Sequence, residues 1–337
     1  MERREFLKGA AGIGGLALAL PLVQNALAGL AGPAPGRVAF VKTTDRAAGV
    51  NHAIDLLGLP RFQGKDLFLK ANFNSADPPP GSTHEDTLAA FIRKLKQMGA
   101  GPLTLGERSG MGNTRQVLES RNAFTLTKEL GVKAVVFDEL PAEDWDLIRH
   151  GNMHWQQGFA LPSTMRKASG VVQTCCLKTH RFGGHFTLSL KNSVGLAAKF
   201  VPGNSYNFMR ELHSSPDQRR MIAEINAAYR PELIVLDGVE AFTTGGPEAG
   251  KKVTASVILA GTDRIAVDAV GVAILRHFGT TPEVSRGTIF EQEQIARAVQ
   301  LGIGVKSPSE IELVTDDRDS AEYAKVIRAI LDGAAAQ

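Results

Sequence analysis

Eight short runs of β-branched or apolar residues, separated by stretches of helical spacing, constrain this chain more than any other property. The runs are Val38-Ala39-Phe40-Val41, Leu67-Phe68-Leu69, Leu103-Thr104-Leu105, Ala134-Val135-Val136-Phe137, Val171-Val172, Leu233-Ile234-Val235-Leu236, Val257-Ile258-Leu259 and Ile311-Glu312-Leu313-Val314. Between them lie amphipathic patterns over Thr87 to Met98, Gln218 to Ala228, Ile265 to Phe278 and Glu291 to Leu301. Leu88, Phe91, Ile92 and Leu95 fall on one helical stripe and read as core.

Strands that alternate with helices pair mainly in parallel, because each helix covers a sheet face on its way back. The expected fold is therefore α/β: a mixed, largely parallel sheet with helices on both faces, in Rossmann-like layers. Whether it divides into two lobes, and where, the sequence leaves open. The segment Leu140 to Thr164, with Trp145, Trp155, Gln156, Gln157 and Pro162, breaks the rhythm and reads as a long connection or a flap over the site.

The amino terminus stands outside this pattern. Arg3-Arg4-Glu5-Phe6-Leu7-Lys8 precedes an uncharged Gly/Ala/Leu-rich run ending in the small-x-small site Ala26-Leu27-Ala28, which resembles a twin-arginine export signal. Glu2 departs from the usual hydroxyl residue before the arginine pair. The expectation is a signal over residues 1–28, a single α/β domain over 29–337, recognition by the twin-arginine machinery and a periplasmic or otherwise exported location. Gln24, Asn25, Pro21, Pro33 and Pro35 make the uncharged stretch a poor lipid helix, so no stable membrane span is expected after processing. Gly12-x-Gly14-Gly15 has no strand before it and is not read as a dinucleotide loop.

Removing 28 residues from 337 leaves 309, enough for a sizeable core. The formal charge of +3 falls to about +2 without the signal, too little to argue for nucleic acid. Cys175 and Cys176 are the chain's two cysteines. Neighbours on a strand point to opposite faces, so inert buried thiols are expected rather than a disulfide, and no four-cysteine iron–sulfur cluster can form.

In open α/β sheets ligands gather beyond the carboxyl ends of strands, so polar residues there carry the chemistry. Three constellations qualify. After Leu67-Phe68-Leu69 come Lys70, Asn72 and Asn74, then Asp77-Pro78-Pro79-Pro80-Gly81, then Ser82-Thr83-His84 opening a helix. Ser82 with Glu85, or Thr83 with Asp86, fits a capping box, and the helix N-terminus with Lys70 and the two amides fits an anion site. Lys178-Thr179-His180 closes the cysteine run and is followed by His185-Phe186-Thr187-Leu188-Ser189-Leu190-Lys191-Asn192. A lysine here neutralises an anion or, if desolvated, acts as a base, and His180 is a proton carrier or ligand. His185, beside Gly183-Gly184, reads as part of an exposed turn. The third constellation is Asp237-Gly238, Gly245-Gly246-Pro247 and Gly261-Thr262-Asp263 with Asp268. Asp237 is placed as a base, metal ligand or ribose partner; Asp263 is equally a helix cap.

His150-x-x-x-His154 has ligand spacing, but Gly151-Asn152 interrupts the helix and no acidic neighbour completes a zinc-protease pattern. Nucleophile-elbow and phosphate-loop motifs are absent from the sequence.

Together, Lys70-x-Asn72, Ser82-Thr83-His84, Glu107, Lys178-Thr179-His180, Thr187-x-Ser189-Leu190-Lys191-Asn192, Asp237-Gly238, Gly245-Gly246-Pro247 and Ala260-Gly261-Thr262-Asp263 with Asp268 resemble the family termed domain of unknown function 362. The Lys-Thr-His and Ser-Leu-Lys-Asn blocks are the most specific part. Many relatives carry ferredoxin-like cysteines that this chain lacks, so the resemblance implies a fold and a candidate site but no cluster.

The expectation is an exported enzyme acting on a small anionic substrate, with the metal and cofactor open. Lys70, Lys178 and Lys191 neutralise the ligand, His180 moves a proton or binds metal, and Asp237 with Glu107 serves as base or metal ligand. Asn72, Asn74, Thr83, His84, Asn192, Gly246, Asp263 and Asp268 complete the binding set. The alternative is a non-catalytic periplasmic ligand-binding or cofactor-handling protein, distinguished by an affinity that does not change over roughly pH 5–8, where histidine titrates.

Overall fold

The computed structural model describes residues 36–149 and 151–335, which belong to one compact unit. The export signal over residues 1–28 and His150 of the His150/His154 pair lie outside the described residues.

The strands are β1 (Arg37–Lys42), β2 (Leu67–Lys70), β3 (Leu103–Glu107), β4 (Lys133–Val136), β5 (Trp145–Ile148), β6 (Phe159–Pro162), β7 (Gly170–His180), β8 (His185–Thr187), β9 (Pro231–Gly245), β10 (Gly250–Gly261) and β11 (Glu312–Val314). Nine form one sheet in the order β11-β1-β10-β9-β7-β2-β3-β4, with β8 paired to the end of β7. Five pairings are parallel and three antiparallel: β10 inserts against both β1 and β9, and β8 folds back on β7. The fold is thus mixed α/β with a mostly parallel sheet.

Period-two alternation sorts the strand residues onto two cores. Val38 and Phe40, with Ile234, Leu236, Val257 and Leu259, pack on one face under the helices Arg264–His277, Glu293–Gln300 and Arg318–Leu331. Ala39 and Val41, with Leu233, Val235, Ile258 and Ala260, pack on the other under Arg46–Leu57 and Glu85–Gln97, whose Leu88, Phe91, Ile92 and Leu95 form the expected stripe. Being buried on both faces is why these strands read as continuous apolar runs.

The segment Leu140 to Thr164 is a connection, not a flap. It forms the two-stranded antiparallel β5-β6 sheet, and Trp145, Trp155, Phe159 and Leu161 join a third core with the helices Phe208–Ser214 and Gln218–Ile225.

Side-chain caps fix several helix starts. Asp45 accepts from Ala48 N at 3.0 Å, and Asp263 accepts from Ala266 N at 2.9 Å. The helix Glu85–Gln97 is capped by His84, whose Nδ1 accepts from Asp86 N at 3.1 Å, so neither proposed capping box forms. Ser82 donates to Ser75 O instead, and Thr83 Oγ1 accepts from Asn72 N. Cys175 and Cys176 are free and buried, and burial raises both thiols, the second to about 11, so both are held neutral.

Candidate functional site

The carboxyl ends of the adjacent parallel strands β7, β2 and β3 open onto a cleft of about 380 Å³. Lys70 is the last residue of β2 and Glu107 the last of β3. Strand β7 runs past β2 while β9 stays paired with it as far as Lys178, so Lys178 and His180 stand beyond the end of β2, and alternation aims both to one face. Strand β8 returns antiparallel and sets Thr187 directly across from Lys178. Lys191 and Asn192 follow in the short helix Ser189–Asn192. Asp268 holds that turn in place: Oδ1 accepts from Ser189 N at 2.8 Å and from the Ser189 hydroxyl, and Oδ2 from Leu190 N at 3.0 Å. Burial pushes the Asp268 carboxyl up to about 7.

The polar groups at the base are linked. Lys70 Nζ donates to both Glu107 oxygens at 2.7 Å, and those oxygens also accept from Phe73 N and Arg108 N at 3.0 Å. Burial lowers the Lys70 ammonium and raises the Glu107 carboxyl from their usual values. Lys178 Nζ donates to Asn72 Oδ1 at 2.9 Å and to Gly81 O, and Asn72 Nδ2 donates to Asn192 Oδ1 at 3.0 Å. Lys178 has no carboxylate in hydrogen-bond contact among the described residues, and burial lowers it too.

Three further groups face the cleft without partners among the described residues. His180 Nδ1 and Thr187 Oγ1 are buried and unbonded, and Lys191, only 8% exposed, makes no hydrogen bond or ion pair. Burial, with Lys178 and Arg108 adding like charge, pushes the Lys191 ammonium down to about 7. Burial and the same lysines hold His180 well below the usual histidine range. Native proteins leave few buried polar groups unsatisfied, and the two such atoms here, His180 Nδ1 and Thr187 Oγ1, beside the unpaired Lys191, mark where a ligand would supply the missing partners.

The lining carries six Lys or Arg side chains, Lys70, Arg108, Lys178, Lys191, Lys199 and Arg210, against one carboxylate, Glu107, which is already paired. Such a site favours anions. Among the described residues no three His, Cys, Asp or Glu side chains converge as a metal-binding set.

Of the residues singled out in the sequence, Lys70, Asn72, Asn74, Glu107, Lys178, His180, Lys191 and Asn192 line this cleft. Thr83, His84, Gly246, Asp237, Asp263 and Asp268 do not. Asp237 faces the other side of β9, where its Oδ2 accepts from Arg46 Nε at 2.9 Å and Thr87 Oγ1 at 2.6 Å. Thr83 braces Asn72, His84 caps an exposed helix end away from the cleft, and Asp263 caps a helix and accepts from Val305 N at 2.8 Å. Gly246 lies against β7, where a Cβ would meet Thr179 O at 2.1 Å, and its neighbour Pro247 reaches the lining.

Sequence reasoning missed Arg108, which follows Glu107 at a strand end and meets the same positional rule. It is buried and donates to Ala197 O at 2.7 Å and Val194 O at 2.6 Å, bracing the chain after Asn192. It also missed Met209, Arg210 and His213, which the helix Phe208–Ser214 carries into the lining from far along the chain. No local pattern announces them.

The family model described as "Domain of unknown function (DUF362)" matches residues 67–273, more than half of the chain. A thylakoid-associated protein of Synechocystis sp. is 26% identical over 219 residues, covering 63% of this chain and 64% of the relative. Among solved structures, the lactate racemase apoprotein of Thermoanaerobacterium thermosaccharolyticum is similar with a TM-score of 0.45 and 17% identity, over 72% of this chain and 58% of that one. The chain spans less than two thirds of the length of either.

Proposed function

The chain belongs to the family described as domain of unknown function 362, whose matched span contains every residue lining the cleft, and we propose that this cleft binds and turns over a small anionic molecule. One observation carries the reading: six Lys or Arg side chains and two unpartnered buried polar atoms, His180 Nδ1 and Thr187 Oγ1, surround a cavity whose single carboxylate is already committed. A cavity of about 380 Å³ lies at the lower end of the range of small-ligand sites, roughly 300–1,000 Å³. In this reading Lys178 and Arg108 supply fixed charge at the base, and Lys199 and Arg210 attract the anion at the rim. His180 and Lys191, both able to exist without a proton near neutral pH, accept or donate one at the ligand.

The test is thermal stabilisation by phosphate, pyrophosphate and small carboxylates. Each anion that fits should raise the melting temperature, and Lys199→Ala with Arg210→Ala, both at exposed positions, should weaken the effect without unfolding the protein. No shift with any of these anions, or shifts identical in the double variant, would overturn the assignment.

A binding role without turnover uses the same cations. Burial and the neighbouring lysines hold His180 well below the usual histidine range, whereas Lys191 is pushed down to about 7, so Lys191 is the group whose titration reports on the ligand near neutral pH. Export is likewise proposed, on Arg3-Arg4-x-Phe6-Leu7-Lys8 alone. Among the described residues no helix is long and apolar enough to cross a membrane.

A further inference from the structure

The buried lysines are not equivalent. Lys70 is paired with Glu107, Lys94 with Asp55, and Lys178 donates to Asn72 and Gly81, whereas Lys191 meets no acceptor among the described residues. Its charged and titratable surroundings are Lys178, Arg108, His180 and His213, none of which is a counter-ion. A structural lysine would be expected to end on a carbonyl or carboxylate. Lys191 ends in the cleft.

The imidazole of His180 approaches the same point. A Cβ placed on Gly184 would lie 2.5 Å from Lys191 Cε and 2.9 Å from His180 Nδ1, so the amine stem and the unpartnered ring nitrogen converge beneath one glycine. An amine that is partly unprotonated at neutral pH, held in a desolvated pocket beside other cations, is an activated nucleophile. The nearby proton carrier is what condensation with a carbonyl needs, because that reaction moves protons twice.

We propose that Lys191 forms a reversible imine with a carbonyl-bearing small anion, such as a 2-oxo carboxylate, whose negative group is held by Lys178 and the rim cations. The inference rests on the cleft's being an anion site. The Nζ lone pair attacks the carbonyl carbon, and the carbonyl oxygen takes up a proton as nitrogen releases one, giving a carbinolamine. A second proton, taken up from solvent and relayed by the neutral imidazole of His180, lets the hydroxyl leave as water while the C=N bond forms. No electrons are exchanged with an external acceptor, and hydrolysis regenerates the amine. The protonated imine carries a positive charge gained from that added proton, and the ligand's own anion lies against it.

Incubating the protein with pyruvate and then borohydride reduces any imine to a stable secondary amine, which peptide mass spectrometry locates. The expected result is a carboxyethyl group on Lys191 in the intact wild-type protein, its loss in Lys191→Arg, and protection by phosphate. An adduct spread over exposed lysines such as Lys251 at the same yield, or no adduct at all, overturns the proposal. Thermal stabilisation by lactate, which has the carboxylate but no carbonyl, separates the two claims. Stabilisation by lactate without an adduct from pyruvate leaves the anion site standing and removes the imine. Absence of both removes the anion site as well.

Discussion

Replacing Glu107 by Gln removes the cleft's one negative charge while keeping nearly the same shape, and the outcome follows from what surrounds that carboxylate. Its oxygens accept from Lys70 Nζ at 2.7 Å and from two backbone N–H groups at 3.0 Å, all in a setting where both partners are 1% exposed. The amide retains one oxygen and presents an NH₂ where an acceptor is required, so one backbone N–H meets a donor. Lys70 loses its counter-ion altogether. Breaking a buried pair by removing one partner costs about 3–5 kcal/mol. At roughly 2–4 °C per kcal/mol for a domain of this size class, the melting temperature should fall by about 10 °C. Urea unfolding followed through Trp145 and Trp155, both buried in the third core, reads the loss directly. Because Lys70 is already held below its usual value by burial, raising the pH should discharge it and narrow the gap between variant and wild type. The double variant Lys70→Met with Glu107→Leu should recover more than half of the loss. A single variant within about 1 kcal/mol of wild type, or a double variant no better than the single, would show that the pair is not the buried unit described.

Further outcomes are equally specific. Lys191 has its pKa lowered from 10.5 to about 7, so between those values the unfolded chain binds a proton that the folded chain does not; this group makes stability rise with pH from about 7 upward, by a few kcal/mol at most, and Lys191→Met should flatten that rise in pH-resolved melting curves. Asp268 has the opposite sign: raised from 3.8 to about 7, it binds a proton in the folded state that the unfolded chain has released, so its contribution falls as pH climbs from about 4 to 7. Asp268→Ala leaves the Ser189–Asn192 turn without its acceptor and should lower stability by about 2–3 kcal/mol, together with loss of anion-induced stabilisation; intact stabilisation would separate the turn from the site. Gly195→Ala places a Cβ 2.7 Å from Glu107 Oε1 and 2.8 Å from Lys70 Nζ, and calorimetry should find it about 1–3 kcal/mol less stable. Changing Arg3 and Arg4 to Lys together should retain the precursor inside the cell; continued export would redirect the localisation proposal.

All eight strands read from apolar runs are present, because burial on both faces leaves a sequence record that needs no tertiary knowledge. Their lengths are less legible. Leu233-Ile234-Val235-Leu236 marked only part of the fifteen-residue strand β9, since its residues from Asp237 onward are mostly buried by packing and not by their own chemistry. The same property hid the fate of the carboxylates. Asp237 ends an apolar run just as Lys70 does, but it meets Arg46 and Thr87 across β9, contacts set by a helix far away in sequence. The rule that ligands gather at strand ends led to the Lys70 and Lys178 segments, both of which line the cleft. It could not say which side of each strand end would face the cavity, nor foresee side chains delivered by the helix Phe208–Ser214.

Because Lys70, Glu107 and the end of β7 belong to three laterally adjacent strands, the ladder itself acts as a comb whose teeth are about 4.8 Å apart. Evolution can exchange the side chains on those teeth, but it cannot slide them closer without dismantling the sheet. Any ligand of this cleft therefore meets side chains rooted at this fixed pitch, while their tips are free to draw together, as Lys70 and Glu107 do at 2.7 Å.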